Sequence, residues 1–333
     1  MGPIKAGVIG LGVGEQHIRS YQNIPGCEVL AVCDRDADRL GDIADQYEIP
    51  TRQTDWRYLT EHPDLDVISV CSYDDGHAEQ MISAFKHGKH VMVEKPAFFD
   101  KREAERVQRA LIDNDRVLSS NLILRKSPRF QAIKRLIDDD AFGEIVHIEG
   151  DYLHDILWKI TDGWLGRMKF YCTLYGGGVH LIDLMRWLIS QEVDEVCGFG
   201  NDILTRDSSY RFPDTISALL KFRSGATGKS TTMFGPKRTK FHSLNVFGTK
   251  LTFINDSPDA KLFSGDRPED EQPFSVPYPA IEKGDLLPEF IDAIREGREP
   301  LVSKVDVFRT MDVCFAIWEA VSSGRNVPVT YLM

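Results

Sequence analysis

Residues 4–14 read IKAGVIGLGVG, and this stretch decides the fold. A short apolar strand runs into a glycine-rich turn, a helical pattern follows, and Asp34 ends the next apolar run 20 residues after Gly14 (34 minus 14). Glycines let the backbone turn tightly and approach a pyrophosphate, while an acid at this distance accepts hydrogen bonds from a ribose diol. The stretch therefore predicts a dinucleotide site. Its expected binding residues are Gly10, Gly12, Val13, Gly14, Asp34 and Arg35.

The glycine turn departs from the usual G-x-G-x-x-G spacing, because Glu15 stands where the third glycine is expected. Either Gly14 takes over the role of that glycine, or the helix packs less closely on the strand. Asp34 repels a 2'-phosphate and so favours NAD over NADP. Arg35 is a residue type that receives this phosphate, so NADP stays possible.

The pattern around this turn predicts an α/β protein of two domains. Strand-like runs begin near residues 4, 28, 66, 90 and 116, and helical patterns cover 15–24, 35–47, 77–88 and 100–114. This alternation is typical of a doubly wound parallel sheet, which we expect in residues 1–122. Strand patterns then dominate at 145–153, 193–200, 215–222, 226–233, 241–247 and 250–254, with helices at 128–139, 285–297 and 305–323. They predict a second domain in residues 123–333 with a large, open, mainly antiparallel sheet, and an exposed excursion at 256–279.

Ligands of such sheets bind at the carboxyl ends of the parallel strands, so the residues after each strand are candidates for chemistry. The fourth strand runs into Glu94, Lys95 and Pro96, and a lysine there points into the crevice. His77 is either a cofactor contact or a helix-start residue. The further expected cofactor contacts are Cys71, Ser72, Tyr73, His77, Glu94, Lys95 and Asn121.

A second cluster reads GGGVHLIDLMRW over residues 176–187. On a helix beginning near Gly178, His180 and Asp183 share a face, and the glycines imply that some group approaches the backbone closely. A buried core histidine is the alternative. Aromatic and charged residues interleave upstream of this cluster, over residues 151–164.

These residues resemble the Gfo/Idh/MocA oxidoreductases, the family of glucose-fructose oxidoreductase and inositol dehydrogenase. The resemblance rests on the glycine turn followed by His17, on AVCDRD, on GKHVMVEKP, on the stretch from Asn121 to Phe130 and on GGGVHLIDLMRWL. It implies a Rossmann domain, an open mixed sheet, and hydride transfer between NAD(P) and a carbinol of a sugar, cyclitol or related polyol. It also implies that Lys95 and His180 are catalytic. The family often has an aspartate four residues before the histidine, where this chain has Gly176, and Tyr171, Tyr175 or the polar segment 151–164 are possible replacements. The interleaved aromatic and charged residues of that segment suit a sugar, although a solvated loop would look the same. The substrate contacts expected from the resemblance and these residues are Lys95, Tyr152, Lys159, Asp162, Trp164, Tyr175, His180 and Asp183.

The chemistry requires that a proton leaves a hydroxyl while hydride leaves the same carbon. Histidine, with a reference pKa of about 6.5, is the natural base, and a lysine stabilises the developing alkoxide. We therefore expect His180 to be the base and Lys95 its electrostatic partner, or the reverse, with Asp183 orienting the imidazole or binding a substrate hydroxyl. Two other functions stay open: a non-enzymatic regulator that binds dinucleotide and sugar, and an NAD-dependent glycosidase that uses transient oxidation.

The composition of the chain limits the classes of partner that it can bind. The chain has 333 residues, 42% of them hydrophobic, and a formal net charge of −11, so it can build sizeable cores and repels nucleic acid. No apolar run is long enough to cross a membrane, and no metal-ligand spacing occurs. The six cysteines are scattered, which favours reduced thiols and a cytoplasmic location. A broad sheet that would otherwise expose an apolar face favours a homodimer or homotetramer.

Overall fold

A computed structural model describes residues 2–333, and the chain divides into two compact units. The first unit contains the described residues up to Ile123, together with Glu282–Arg309 and Leu332–Met333. The second contains Leu124–Ile281 and Thr310–Tyr331. Sequence order alone placed residues 282–309 in the second domain. They belong to the first unit because the helix at 287–296 packs on the helix at 11–22, and Ser20 Oγ donates a hydrogen bond to the Gly284 carbonyl over 2.8 Å.

The first unit is built on a six-stranded sheet in which every described pair of strands is parallel. The strands, in the spatial order β3-β2-β1-β4-β5-β6, are β1 (Ile4–Ile9), β2 (Cys27–Cys33), β3 (Thr51–Gln53), β4 (Val67–Val70), β5 (His90–Val93) and β6 (Leu118–Ser120). The helices between them are α1 (Leu11–Gln22), α2 (Ala37–Gln46), α3 (Trp56–Glu61), α4 (His77–Lys86) and α5 (Lys101–Asn114). The order reverses between β1 and β4, which is where such sheets bind ligands.

Local chemistry explains these elements. Every residue of β4 is buried, as expected for a central strand covered by helices on both faces. The side chains of Asp36 and Asp100 cap α2 and α5 by accepting hydrogen bonds from the amides of Arg39 and Glu103. The doubly wound parallel sheet predicted from the sequence is therefore confirmed.

The second unit carries a nine-stranded mixed sheet in the order β14-β13-β12-β11-β7-β10-β9-β8-β15. Its elements are α6 (Pro128–Asp138), β7 (Ile145–Leu153), α7 (Trp158–Thr161), α8 (Val179–Ile189), β8 (Val193–Asn201), β9 (Thr215–Phe222), β10 (Thr227–Met233), β11 (Phe241–Gly248), β12 (Thr252–Ile254), β13 (Ala260–Phe263), β14 (Glu271–Phe274) and β15 (Val327–Pro328). Among the described strands of this second sheet, only β7 and β10 pair in parallel. The predicted open, mainly antiparallel sheet is confirmed.

Helix α8 covers one face of this sheet. It packs on β7, where the lack of a side chain at Gly150 lets Leu181 approach the strand. Strand β9 alternates accordingly, with Ile216, Ala218, Leu220 and Phe222 buried. The expected excursion at 256–279 is wrong in part, because β13 and β14 within it extend the sheet edge by pairing with β12 and with each other.

Two further helices follow, α9 (Leu287–Glu296) and α10 (Lys304–Ser323). Within residues 2–333, no helix has both the length and the apolar character needed to cross a membrane.

Candidate active site

Each of the three glycines of the first turn has a different environment, so glycine is required at each for a different reason or not at all. Gly10 adopts φ +87°, and a Cβ there would lie 2.5 Å from the carbonyl oxygen of Cys71. A Cβ at Gly14 would lie 2.7 Å from Cγ1 of Val8, so Gly14 lets α1 pack closely on β1. Among the described residues, nothing lies within 4 Å of a Cβ built at Gly12. Gly14 thus takes the role of the third glycine, and the side chain of Glu15 instead accepts a hydrogen bond from Tyr47 Oη.

Asp34 lies beside this turn at the end of β2. Its two carboxylate oxygens accept hydrogen bonds from the amides of Leu11 and Asp36 over 2.7 and 2.9 Å. Nη1 of Arg39 is 3.7 Å from the same carboxylate, and the Arg35 guanidinium lies 5.0 Å from the centre of the Tyr73 ring. An open backbone at a helix N-terminus beside a fixed acid fits a dinucleotide, whose pyrophosphate and ribose these groups would hold. Arg39 is a neighbour of Asp34 that sequence reasoning missed.

His77 joins two turns of the first unit. Its ring is buried, with Nδ1 2.8 Å from the Pro96 carbonyl oxygen and Nε2 3.2 Å from that of Ser72. It is also the first residue of α4, so the helix-start alternative is correct as far as position goes. With both ring nitrogens facing backbone carbonyls, His77 fixes the turn after β4 to the turn that carries Lys95.

Glu94 is the centre of a buried polar network next to Lys95. Its Oε1 lies 3.4 Å from Nε2 of His17 and accepts a hydrogen bond from Asn121 Nδ2 over 2.7 Å. Asn121 Nδ2 also lies 2.9 Å from the Lys283 carbonyl. Burial raises the pKa of Glu94, but the close approach of His17 and the charges of Lys95 and Lys283 outweigh burial, and the net pKa is well below the ordinary value. Glu94 is therefore an anion that anchors the Lys95 turn.

Asp74 is a further acid in this region that the sequence did not indicate. It is the first residue of a short 3-10 helix, Asp74–Gly76, that precedes His77. Burial raises the pKa of its carboxyl, and the charges of His77 and Lys95 offset part of that rise. Lys95, which is half-buried, thus lies within electrostatic reach of Asp74 as well as Glu94.

In the second unit, His180 follows an unusual turn of helix. Residues Leu174–Gly178 form a π-helical turn that leads into α8, and His180 is 9% exposed. The expectation that some group approaches the three glycines is met by three different side chains. A Cβ at Gly176 would lie 1.8 Å from Tyr171 Oη, one at Gly177 2.6 Å from the Tyr152 ring, and one at Gly178 2.1 Å from Thr232 Oγ1.

Tyr152 and His180 belong to one aromatic cluster. The two rings are stacked with centroids 6.4 Å apart, the His242 ring is 5.5 Å from Tyr152, and Tyr152 Oη lies 3.2 Å from His154 Nδ1. Burial raises the pKa of Tyr152 to about 12. Burial, then the charge of Lys240, lowers the pKa of His154 to about 4 and that of His242 to about 3, with smaller contributions from other neighbours. These three groups are uncharged at neutral pH, a polar but neutral set that suits hydroxyl groups.

Asp183 has a partner that its helix does not reveal. Arg125 donates two hydrogen bonds to its carboxylate, from Nε over 2.8 Å and from Nη2 over 2.6 Å, and Thr310 Oγ1 lies 3.2 Å from Oδ1. Both side chains of the ion pair are 1% exposed. The structure thus gives Asp183 a packing role that ties α8 to the segment before α6, and its contact with substrate stays a prediction.

We expect Arg125→Met to destabilise the protein by about 3–5 kcal/mol, because it leaves a buried carboxylate without its counter-charge. The measurement is urea unfolding followed by circular dichroism. The control is Arg125→Met/Asp183→Leu, which removes both charges and should recover most of the loss. A single variant as stable as the wild-type chain would contradict the structural role of this pair.

The other expected substrate contacts differ in their positions. Tyr175 is buried and packs against Phe170 and Phe315, so the structure places it in an aromatic core instead of a binding surface. Lys159 lies over the Trp158 ring, Asp162 is exposed and accepts a hydrogen bond from Thr161, and Trp164 is half-buried. The segment is therefore partly packed and partly solvated.

Two family profiles match this chain over most of its length. One, described as an oxidoreductase family with an NAD-binding Rossmann fold, matches residues 4–122, and the other, the GFO/IDH/MocA C-terminal domain, matches residues 130–254. The chain belongs to the Gfo/Idh/MocA oxidoreductase family. The resemblance inferred from the sequence motifs is confirmed, and the first unit contains the NAD-binding domain of this family.

Sequence similarity to other proteins covers nearly the whole of this Gfo/Idh/MocA chain. It is 24% identical to a myo-inositol 2-dehydrogenase of Thermotoga maritima, covering 97% of this chain and 98% of the relative. It is 27% identical to a 4-carboxy-2-hydroxymuconate-6-semialdehyde dehydrogenase of a Sphingobium species, covering 91% and 93%. A solved structure of levoglucosan dehydrogenase in complex with NADH has the same fold, with a TM-score of 0.87 at 21% identity, covering 98% of this chain and 99% of that one.

Proposed function

We propose that this protein is an NAD-dependent dehydrogenase that oxidises a secondary carbinol of a sugar, cyclitol or sugar derivative, or reduces the corresponding ketone. The observation that carries the proposal is the match to both family domains in one chain, one containing Lys95 and the other His180. Relatives named as inositol dehydrogenases support the substrate class.

In this proposal His180 takes the hydroxyl proton of the substrate, and the Lys95 ammonium stabilises the alkoxide that develops. The glycine turn and Asp34 would hold a dinucleotide, which would supply the hydride acceptor. The Glu94 network and the His77 contact to Pro96 hold the Lys95 turn, so the amine is positioned by both neighbours of Lys95 in the chain. In the reverse direction His180 returns the proton.

The neutral groups around His180 support a polyol substrate. Tyr152, His154 and His242 present hydroxyl and imidazole groups that donate or accept hydrogen bonds. Rings of this kind also pack against the apolar faces of a sugar. A polyol satisfies both properties, since its hydroxyls lie at the rim of the ring and its C–H groups on the faces.

The test is reduction of NAD by the purified wild-type chain with myo-inositol, scyllo-inositol, D-glucose and levoglucosan, followed by the absorbance of the reduced nicotinamide. We expect steady turnover with at least one of the four. Binding of NADH without turnover of any polyol would instead favour the regulator, and cleavage of a glycoside without net NADH would favour the glycosidase.

We also propose that the enzyme prefers NAD to NADP, because Asp34 lies where a 2'-phosphate would come close. Asp34→Ala should raise kcat/KM with NADP about tenfold or more and lower it with NAD, since Arg35 and Arg39 remain to receive the phosphate. The control is Asp38→Ala, which removes an exposed acid from the first turn of α2. An unchanged ratio of kcat/KM for the two cofactors in Asp34→Ala would remove Asp34 from cofactor selection.

Two features support the remaining proposals of a homo-oligomer and a cytoplasmic enzyme. Phe199 and Leu219 lie on the face of the nine-stranded sheet opposite α8 and are 81% and 57% exposed, an apolar area that a second copy would cover. All six cysteines are unpaired thiols, as is usual in a reducing compartment. A homodimer or homotetramer in the cytoplasm agrees with both.

A further inference from the structure

Tyr171 has a position that the sequence did not single out from its neighbours. It is 3% exposed, and its hydroxyl oxygen would lie 1.8 Å from a Cβ at Gly176. Any residue larger than glycine at position 176 would have to displace this hydroxyl. The phenol therefore occupies the volume that a side chain at position 176 would otherwise fill.

This volume is on the His180 side of the helix. Gly176 is four residues before His180, which is close to one turn in either the π-helical or the α-helical geometry of this segment. Side chains one turn apart lie on the same face. The Tyr171 hydroxyl therefore lies on the same side of the helix as His180, about one turn before it.

The surroundings of Tyr171 fix its ring in place. Its ring centroid is 6.3 Å from that of Phe234, which in turn is 5.9 Å from Tyr152, the ring stacked on His180. Its backbone carbonyl accepts a hydrogen bond from Tyr210 Oη over 3.2 Å. Tyr171 is therefore part of the aromatic cluster of the candidate site and is held at both its backbone and its ring.

From this geometry we infer that Tyr171 is a substrate-positioning residue, whose hydroxyl hydrogen-bonds the polyol hydroxyl adjacent to the one that His180 deprotonates. A phenol both donates and accepts a hydrogen bond, which matches a vicinal diol. The inference rests on the proposed function and adds a specificity contact to it: the second hydroxyl of the substrate is recognised by Tyr171.

The test is Tyr171→Phe, which keeps the ring and removes the hydroxyl. With the polyol that gives the wild-type chain its highest kcat/KM among the four named above, we expect kcat/KM to fall about tenfold or more, mainly through KM, because a buried substrate hydroxyl loses its partner. NADH affinity and the melting temperature should change little. Monodeoxy analogues of that polyol add a second readout, since the analogue lacking the contacted hydroxyl should react equally with both proteins.

Gly176→Ala tests the same contact without removing the hydroxyl, because the added methyl must displace it. We expect kcat/KM to fall in this variant as well. The kcat/KM of the double variant Tyr171→Phe/Gly176→Ala should be no lower than that of the less active single variant, since both changes act on one contact. Tyr210→Phe is the matched control: it removes a buried hydroxyl that touches the Tyr171 backbone but not its phenol, and its KM should stay within about twofold of the wild-type value.

The outcomes separate this inference from the proposed function. Wild-type inactivity on all four polyols overturns the proposed function and the role of Tyr171 with it. An active wild-type chain whose Tyr171→Phe variant keeps its kcat/KM within about twofold overturns the role of Tyr171 alone. An equal loss in Tyr210→Phe shows a structural role and also overturns it.

Discussion

His180→Asn should lower kcat with the polyol by about 10² to 10⁴, because the amide cannot accept the hydroxyl proton that general-base catalysis removes. Affinity for NADH should stay near the wild-type value, since the glycine turn and Asp34, which would hold the dinucleotide, are unchanged. The measurements are steady-state kinetics and the fluorescence of bound NADH. Asparagine is small and polar, so the Tyr152 ring that stacks on His180 keeps a partner of moderate size.

The matched control is His147→Asn, which changes a histidine of β7 whose Nδ1 lies 2.8 Å from Thr227 Oγ1. It should leave kcat unchanged. If His180→Asn retains near-normal turnover, His180 is not the base. Restoration of activity to His180→Ala by added imidazole would distinguish a proton-transfer role from loss of packing.

Lys95→Met should lower kcat by about 10² to 10³, the usual loss when one group that stabilises a developing oxyanion is removed. Methionine keeps most of the length and apolar stem of lysine, so the turn fixed by Glu94 and His77 should remain folded. The same kinetic and NADH-binding assays check this expectation, with the melting temperature as a measure of folding.

Lys101→Met is the control, since it removes an exposed charge at the start of α5. Turnover of Lys95→Met close to that of Lys101→Met would remove Lys95 from the mechanism. Imidazole could also fail to restore the activity of His180→Ala and of other variants at position 180. If Lys95→Met then abolishes activity, the two roles are exchanged and Lys95 is the base.

The sequence predicted most of the fold because its signals are local. The glycine turn, the apolar strands and the helical spacing each occupy fewer than about 15 residues, and strand order follows from the doubly wound pattern. Asp34 lies beside the glycine turn for the same reason, since its distance from the glycines is fixed by one strand–helix–strand unit. The edge strands β13 and β14 were missed because charged and proline-containing segments resemble loops until a neighbouring strand pairs with them.

The sequence did not indicate which side chains contact the candidate site residues, because these partners are distant along the chain. Asp183 appeared available on its helix, yet Arg125 binds it from 58 residues away. His242 and Phe234 reach Tyr152 only because β11 and β10 flank β7 in the sheet. Nothing in the sequence distinguished Tyr171 from Tyr175. Only the structure of the π-helical turn shows that Tyr171 lies against Gly176, while Tyr175 packs into an aromatic core.

A labelled hydride shows whether the carbinol carbon of the substrate is the hydride donor. The wild-type chain is incubated with NAD and a polyol from the panel deuterated at its carbinol carbons, and the reduced cofactor is examined by mass spectrometry. A carbinol dehydrogenase transfers one deuterium to C4 of the nicotinamide for each ketone that it forms. Reduced cofactor without deuterium, or product formed while deuterium returns to it and no NADH accumulates, would contradict a dehydrogenase acting on a carbinol.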